Sequence, residues 1–352
     1  MKTLQQFSEL PRTVPMSAAW LAADISEALG KQELFTRQSP QILKVLREHA
    51  LIESAVSSNR IEGVTIDRSR VAAVVLGKSA LRDRDEAEVR GYRDALKLIH
   101  EQGRTLPVSE RTLLRLHRLS HAGSGDAGRY REKEGNIIET FPDGRSRVRF
   151  KAVAPKDTKP YIRTLFELWH DCLRERWLPP VIAMAAVNLD FLCIHPFRDG
   201  NGRVSRLLLL MQCYHLGYEV GRYISLERLI EENKERYYEI LEQSSQGWHQ
   251  GKHDPWPYIN YMLFILKTAY RDSEQRVGQV SSPRGAKAEM ILNAIRSQTG
   301  KFQLADIERA CPAVGREWIR ALMSKMREAG ELECIGKGPA ARWSHRTKTV
   351  RG

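Results

Sequence analysis

Helical periodicity dominates this chain, and the sequence predicts a mainly α-helical fold with one β-hairpin and a smaller basic unit at its C-terminal end. Three observations carry that expectation. Apolar residues recur at threes and fours over most of the first 276 residues. One segment, NIIETFPDGRSRVRFKAV, breaks the pattern with two β-prone runs around Pro142-Asp143-Gly144. A total of 352 residues exceeds what one core usually organises, and the small-residue stretch VGQVSSPRGA interrupts the periodicity at 277–286.

In chain order, helices are expected over residues 16–29, 42–61, 85–102 and 110–120, then the hairpin over 136–153. Further helices follow over 157–176, 181–194, 203–216, 226–246 and 256–276. Gly30, Gly103, Pro179 and Gly217 fall at or just past helix ends, where such residues act as stops. After the linker the pattern restarts: short helices over 288–297 and 304–310, then a longer one with Ile319, Leu322, Met323 and Met326 on one face and Gly330 as its stop. LECIGKGPAARW reads as two short strands. The expected units are an N-terminal helical region (1–105), a core (106–276), the linker (277–286) and a small module (287–346).

Composition narrows the function. Hydrophobic residues make up 42% and charged residues 28%, as in an ordinary globular protein. A formal charge of +13 points to a polyanionic partner, whether nucleic acid, nucleotide phosphate or an acidic protein. Residues 284–352 hold fourteen Lys/Arg against seven Asp/Glu, so more than half of that charge sits in about a fifth of the chain. Five scattered cysteines without a CxxC pair suit a reducing cytoplasm and argue against a zinc site or a disulfide frame. MKTLQQFSELPRT lacks a signal peptide's apolar core, and Asn188, Asp190 and Arg206 break the longest apolar runs, so a cytoplasmic protein without membrane spans is expected.

The densest chemistry lies in HPFRDGNGRVSR, residues 195–206, directly after the apolar run VIAMAAVNLDFLCI. Asp199-Gly200-Asn201-Gly202 allows close backbone approach to a ligand, and a helix starting near Arg203 would aim its free N–H groups at an anion. Arg203 and Arg206, three apart, can face the same phosphate chain with forked donors. Asp199 repels phosphate directly and makes sense as a ligand for Mg²⁺ carried in by a nucleotide. His195 at the mouth of this cradle is placed to take a proton from a hydroxyl.

HPFRDGNGRVSR resembles, position for position, the HxFx[D/E]GNGRxxR signature of Fic-domain proteins, most of which transfer AMP from ATP to a protein hydroxyl. EVRGYRDAL (88–96), AGRYR (127–131) and NKERYYEIL (233–241) resemble other segments of the family, so the likeness covers roughly residues 10–276. It implies the Fic helical fold with the hairpin as a flap. It also implies His195 as general base, Asp199 on Mg²⁺, and Gly200, Asn201 and Gly202 as the anion nest. Arg203 and Arg206 would hold the β- and γ-phosphates, with Val204 and Ser205 between them in the ATP-binding segment. Asn136, Ile137, Ile138 and Glu139 would align the target by strand pairing beside the nucleotide. Tyr237 and Tyr238 match the adenine-side pair, and Ser245 stands where relatives often have Asn. Gly202, where a phosphorylating relative has Lys, favours AMP transfer; phosphocholine transfer stays open. Partners implied are ATP, a target protein with a hydroxyl, and a fold that admits a homodimer.

SNRIEG, residues 58–63, resembles the family's [S/T]xxxE[G/N] inhibitory motif. The likeness implies that Glu62, with Ser58 and Gly63 around it, pairs with Arg206 and fills the space the γ-phosphate needs. Residues 287–346 resemble a winged helix-turn-helix domain, with a turn at 311–315, a recognition helix over 316–329 and Lys337 near a wing tip. Arg316, Arg320, Lys325 and Arg327 would meet DNA, although such modules also bind protein. Two functions are therefore carried forward: a restrained AMP transferase, and a DNA-binding regulator whose core only senses nucleotide.

Overall fold

The structure, a computed structural model, describes residues 2–9, 13–36, 40–77, 79–140, 144–279, 286–296, 298, 300–311, 314–336, 338 and 341–345. It is mainly α-helical with two small sheets. The first helices are α1 (Lys2–Glu9), α2 (Met16–Thr36), α3 (Pro40–Ile61), α4 (Val71–Val75), α5 (Arg84–Gln102) and α6 (Glu110–Ser120). Strands β1 (Asn136–Thr140) and β2 (Ser146–Lys151) form the expected antiparallel hairpin, with a register shift between Ile137 and Ile138. Then come α7 (Pro155–Glu175), α8 (Pro180–Ile194), α9 (Asn201–His215), α10 (Leu226–Glu231), α11 (Lys234–Ser245) and α12 (Trp256–Gln279).

Helix α8 is the centre of this body. Every residue from Val181 to Ile194 is buried, and α9 packs against it with Leu207, Leu208 and Met211 at zero exposure. Its two polar side chains are satisfied, as buried polar groups must be. Asn188 donates to Ser205 O (2.7 Å) and accepts from the Tyr258 hydroxyl (2.7 Å). The Asp190 carboxylate accepts Thr3 N–H (2.9 Å), Leu4 N–H (3.1 Å) and the Trp248 indole (2.6 Å). A buried carboxylate on the free N–H groups of a helix start offsets both the orphan donors and the helix dipole, and it anchors α1 to α8.

Several elements depart from the sequence expectation. Helix α2 runs through Gly30 because Gln32, two residues on, is held by Glu219 N–H, Gly217 O and the Tyr270 hydroxyl. The helix expected over 226–246 is two, broken at Asn233, so that Leu229 and Ile230 on one side and Tyr237 and Ile240 on the other all reach the core. Helix α12 continues to Gln279, into the expected linker. Helices α1 and α4 were not foreseen.

The C-terminal unit has its own apolar cluster, including Ile291, Phe302, Ile307, Ile319, Met323, Met326, Leu332 and Trp343. Its elements are α13 (Ala286–Arg296), β3 (Phe302–Gln303), α14 (Leu304–Ala310), α15 (Arg316–Glu328), β4 (Leu332–Ile335) and β5 (Arg342–His345), with antiparallel sheet order β3-β5-β4. Ile319, Met323 and Met326 are buried as their spacing predicts, and Leu322 is partly buried. Arg68 donates to Ala305 O (3.2 Å), tying this unit to the main body. Pro142, Asp143, Pro312, Ala313 and Lys337, and linker residues 280–285, lie outside the described residues. Among the described residues all five cysteines are free, and no helix is long and apolar enough to cross a membrane.

Candidate active site

Residues 195–200 form a turn between α8 and α9, and residues 201–206 already belong to α9, which starts two residues before the expected position 203. His195 caps α8 in the left-handed region (φ 52°), and Pro196 after it cannot continue a helix. The turn's carbonyls are nearly all spoken for. Arg131 donates its Nε to His195 O (2.8 Å) and its backbone N–H to Pro196 O (3.0 Å). Asn201 bridges both backbone groups of Phe197, accepting its N–H (2.9 Å) and donating to its carbonyl (2.8 Å). The buried His117 accepts Gly128 N–H at Nδ1 (2.9 Å), which leaves its Nε2–H to donate to Asp199 O (3.1 Å). Its ring stacks on Phe197 at 3.8 Å. A turn held at this many points presents a fixed backbone.

The start of α9 is open toward a cavity of about 360 Å³. Of the expected site residues, this cavity gathers Glu62, Ile137, Ile138, His195, Gly202, Tyr237, Tyr238 and Ser245. Asn136 is exposed at the hairpin, and the Glu139 side chain is outside the described residues. Val204 points into the core, Ser205 donates to Gly202 O (2.8 Å), and Asn201 is spent on the turn, so these three serve the helix start through backbone and bracing. Ser245 is nearly buried and donates to Glu242 O (3.0 Å). Arg149 joins the lining: it donates to Tyr238 O, lies 5.5 Å over the Tyr238 ring, and ties β2 to α11.

Glu62 is delivered by local backbone chemistry. Val64 N–H bonds Asn59 O and Gly63 N–H bonds Arg60 O, both at 3.0 Å, which is the Schellman pattern that ends a helix at a left-handed residue. Gly63 supplies that conformation at φ 85°, and Glu62 before it projects from the end of α3. Its carboxylate accepts from Arg206 Nη2 at 2.8 Å, while Arg206 also donates to Ser58 Oγ (2.8 Å) and Ser58 O (2.9 Å). Burial opposes the Arg206 charge, but Glu62, with smaller contributions from Tyr92, Tyr237 and Tyr238, outweighs it and the guanidinium's pKa moves up. Glu62 also covers the helix start: a Cβ on Gly202 would lie 2.1 Å from Glu62 Oε1 and 3.2 Å from Arg206 Nη1. That Nη1 is buried and has no hydrogen-bond partner among the described residues.

The two arginines of α9 are held by different carboxylates, Arg203 by Glu88 and Arg206 by Glu62. Arg203 pairs with the buried Glu88 of α5, and it approaches Asn59 Oδ1 (3.4 Å) and Asp199 Oδ1 (3.5 Å). Asp199 is half-exposed; Gly200 N–H donates to it (2.6 Å) and Arg84 Nη2 lies 3.5 Å away. His195 Nδ1 lies 3.4 Å from Leu192 O; a proton there leaves Nε2 as the accepting nitrogen. Burial is the main force pushing the His195 imidazole down to about 4, so it is neutral near pH 7. Sequence reasoning missed Glu88, His117, Arg131 and Arg149 as site-building residues, although Glu88 and Arg131 lie inside the segments EVRGYRDAL and AGRYR.

Known proteins resemble this chain in sequence and in fold. Residues 107–213 match the Fic/DOC family. The chain is 27% identical over 211 residues to a Nematostella vectensis protein named Protein adenylyltransferase Fic, covering 57% of this chain and 44% of that one. It is 23% identical over 290 residues to the Drosophila melanogaster protein of the same name, covering 75% and 54%. The chain thus spans about half the length of the curated relatives it matches. A crystal structure of a Fic family protein from Desulfovibrio desulfuricans G20 shares the fold, with a TM-score of 0.62 at 23% identity over 98% of this chain and all of that one.

Proposed function

We propose that this chain, which carries a Fic domain at residues 107–213, transfers AMP from ATP to a Ser, Thr or Tyr hydroxyl of a target protein or of itself, and that Glu62 restrains it. One observation carries the reading: a single cavity brings together an uncharged imidazole, a glycine-floored helix start and a tyrosine pair, with a carboxylate lying where an anion would bind. In the proposed step His195 Nε2 takes the proton as the hydroxyl oxygen bonds to the α-phosphorus. The bond from that phosphorus to the β-bridging oxygen breaks, and pyrophosphate leaves. The N–H groups at the start of α9, with Arg203 and Arg206, bear the phosphate charge; fixed donors of this kind act mainly by positioning and charge stabilisation.

The residues present suit Mg²⁺ that arrives on the nucleotide rather than a resident ion. Among the described residues no group of three metal-binding side chains occurs, yet Asp199 offers a half-exposed carboxylate whose guanidinium partners stand off at 3.5 Å. One carboxylate plus phosphate oxygens is an ordinary Mg²⁺ set. Bound there, the ion would neutralise phosphate charge beside the reacting phosphorus. Glu62, by holding Arg206 and covering Gly202, excludes the phosphate chain from its productive place. With labelled ATP and Mg²⁺, Glu62→Gly should label itself or lysate protein at least about tenfold more than wild type, and Glu62→Gly/His195→Ala should fall by roughly 10²–10⁴. Equal labelling by wild type and Glu62→Gly rejects the restraint; labelling that survives without His195 rejects the base.

The C-terminal unit supports a second, accessory reading: a winged helix-turn-helix that binds duplex DNA. Its order of helix, strand, two helices and two strands suits that fold, and Arg316, Arg320, Lys325 and Arg327 are all exposed on α15. Duplex binding by the full chain should weaken as salt rises, and Arg320→Ala/Lys325→Ala should lower the log–log salt slope by roughly two. A slope unchanged by that variant points to a protein partner instead.

A further inference from the structure

Four charged side chains close a ring at the start of α9, and half of it lies outside the HPFRDGNGRVSR segment. The Glu88 carboxylate holds Arg203 Nη1 with one oxygen and Arg84 Nε (2.7 Å) with the other. Across the ring, Asp199 Oδ1 faces Arg203 Nη2 and Asp199 Oδ2 faces Arg84 Nη2, each at 3.5 Å. The two halves differ. Glu88 and Arg203 are 4% and 2% exposed, whereas Arg84 and Asp199 are 71% and 53% exposed. The Glu88 side holds both guanidiniums at hydrogen-bond range. The Asp199 side is loose and open to solvent, so Asp199 can leave the ring without moving either arginine.

We infer that Arg84 is a further phosphate-binding residue of this site, positioned by Glu88. The inference rests on the nucleotide reading above. When Asp199 turns to a cation riding on the phosphates, its two guanidinium partners lose their counter-charge. Glu88 alone cannot neutralise both, so the pair presents one net positive charge to the polyphosphate. Arg203 meets it from inside the helix start and Arg84 from the solvent side. Arg84 sits at the first turn of α5, where Asp83 caps the helix by accepting Glu86 N–H (2.8 Å), and this fixes the backbone from which it reaches. A forked guanidinium braced by one buried carboxylate keeps free donors for an anion at low ordering cost.

The test is calorimetric titration of Glu62→Gly and Glu62→Gly/Arg84→Ala with ATP and, separately, with AMP, both with Mg²⁺. Arg84→Ala should weaken ATP about tenfold and leave AMP within about twofold, since only ATP carries phosphates beyond the first. Glu62→Gly/Arg84→Lys should recover part of the loss, because a point charge replaces a fork. Equal ATP affinity with and without Arg84 overturns the inference, as does equal weakening of ATP and AMP, which would mean Arg84 acts through the fold. Failure of Glu62→Gly itself to bind ATP overturns the nucleotide reading and this inference with it.

Discussion

Two carboxylates from outside α9 each hold one of its arginines, and they do so in opposite ways. Glu62 hangs from a helix end, 28% exposed, with one hydrogen bond to Arg206 and a cavity at its back. Glu88 sits in the body of α5, 4% exposed, bonded to two guanidiniums at once. A carboxylate in the first position can be displaced, because water from the cavity can replace what it gave Arg206, which keeps Ser58. A carboxylate in the second position cannot leave without stranding Arg203 in the core. The same ion pair, Glu with Arg, therefore serves as a removable cover at one site and as a fixed strut three residues away.

Stability measurements are the strongest way to break that distinction. Glu88→Ala should cost roughly 3–5 kcal/mol, the usual penalty for orphaning one member of a buried pair. Glu62→Ala should cost about 1 kcal/mol or less, since its pair is partly solvated. Urea unfolding of both variants, compared at unchanged slope, reads the difference. Equal losses would mean that Glu62 is as structural as Glu88, and its removal would then be no model of release.

The contrast also explains what was legible in the sequence. Glu62 and the nest are built from local backbone rules, a Schellman end at Gly63 and a glycine-lined helix start, so the residues that do the work stand beside the residues that cause it. Glu88 and Arg203 are 115 positions apart, and Arg131 and His195 are 64 apart. No periodicity marks such pairs; only the resemblance of whole segments put Glu88 and Arg131 near the site. The same limit hid α1, whose place depends on Asp190 far along the chain. It also hid the break at Asn233, across which the apolar spacing continues. The C-terminal unit was the reverse case: its helix faces were readable because its core is made by neighbours in sequence.

The smallest effect expected is in the pH profile. His195 lies near 4, held down first by burial and then by Arg131; the Leu192 carbonyl, Glu62 and Asp199 act against this. A neutral base of that kind keeps working as the solution acidifies. AMP transfer by Glu62→Gly should change less than about twofold between pH 7 and 5.5, where an ordinary imidazole near 6.5 would lose roughly eightfold. Removing Glu62 takes away a charge that lifts His195, so the flat limb should reach further down in that variant. The same depression that keeps the base working on acidification costs stability there. An unfolded His195 takes a proton near 6.5 and the folded one only near 4, so the unfolded chain binds more protons in between and stability falls as pH drops through that window. His117, also pushed to about 4 by burial, adds to the same loss. Initial rates must therefore be taken while the chain is folded, and circular dichroism at each pH checks this. An inflection near 6.5 in the folded protein would mean that the imidazole meets solvent freely, and that burial does not set its basicity.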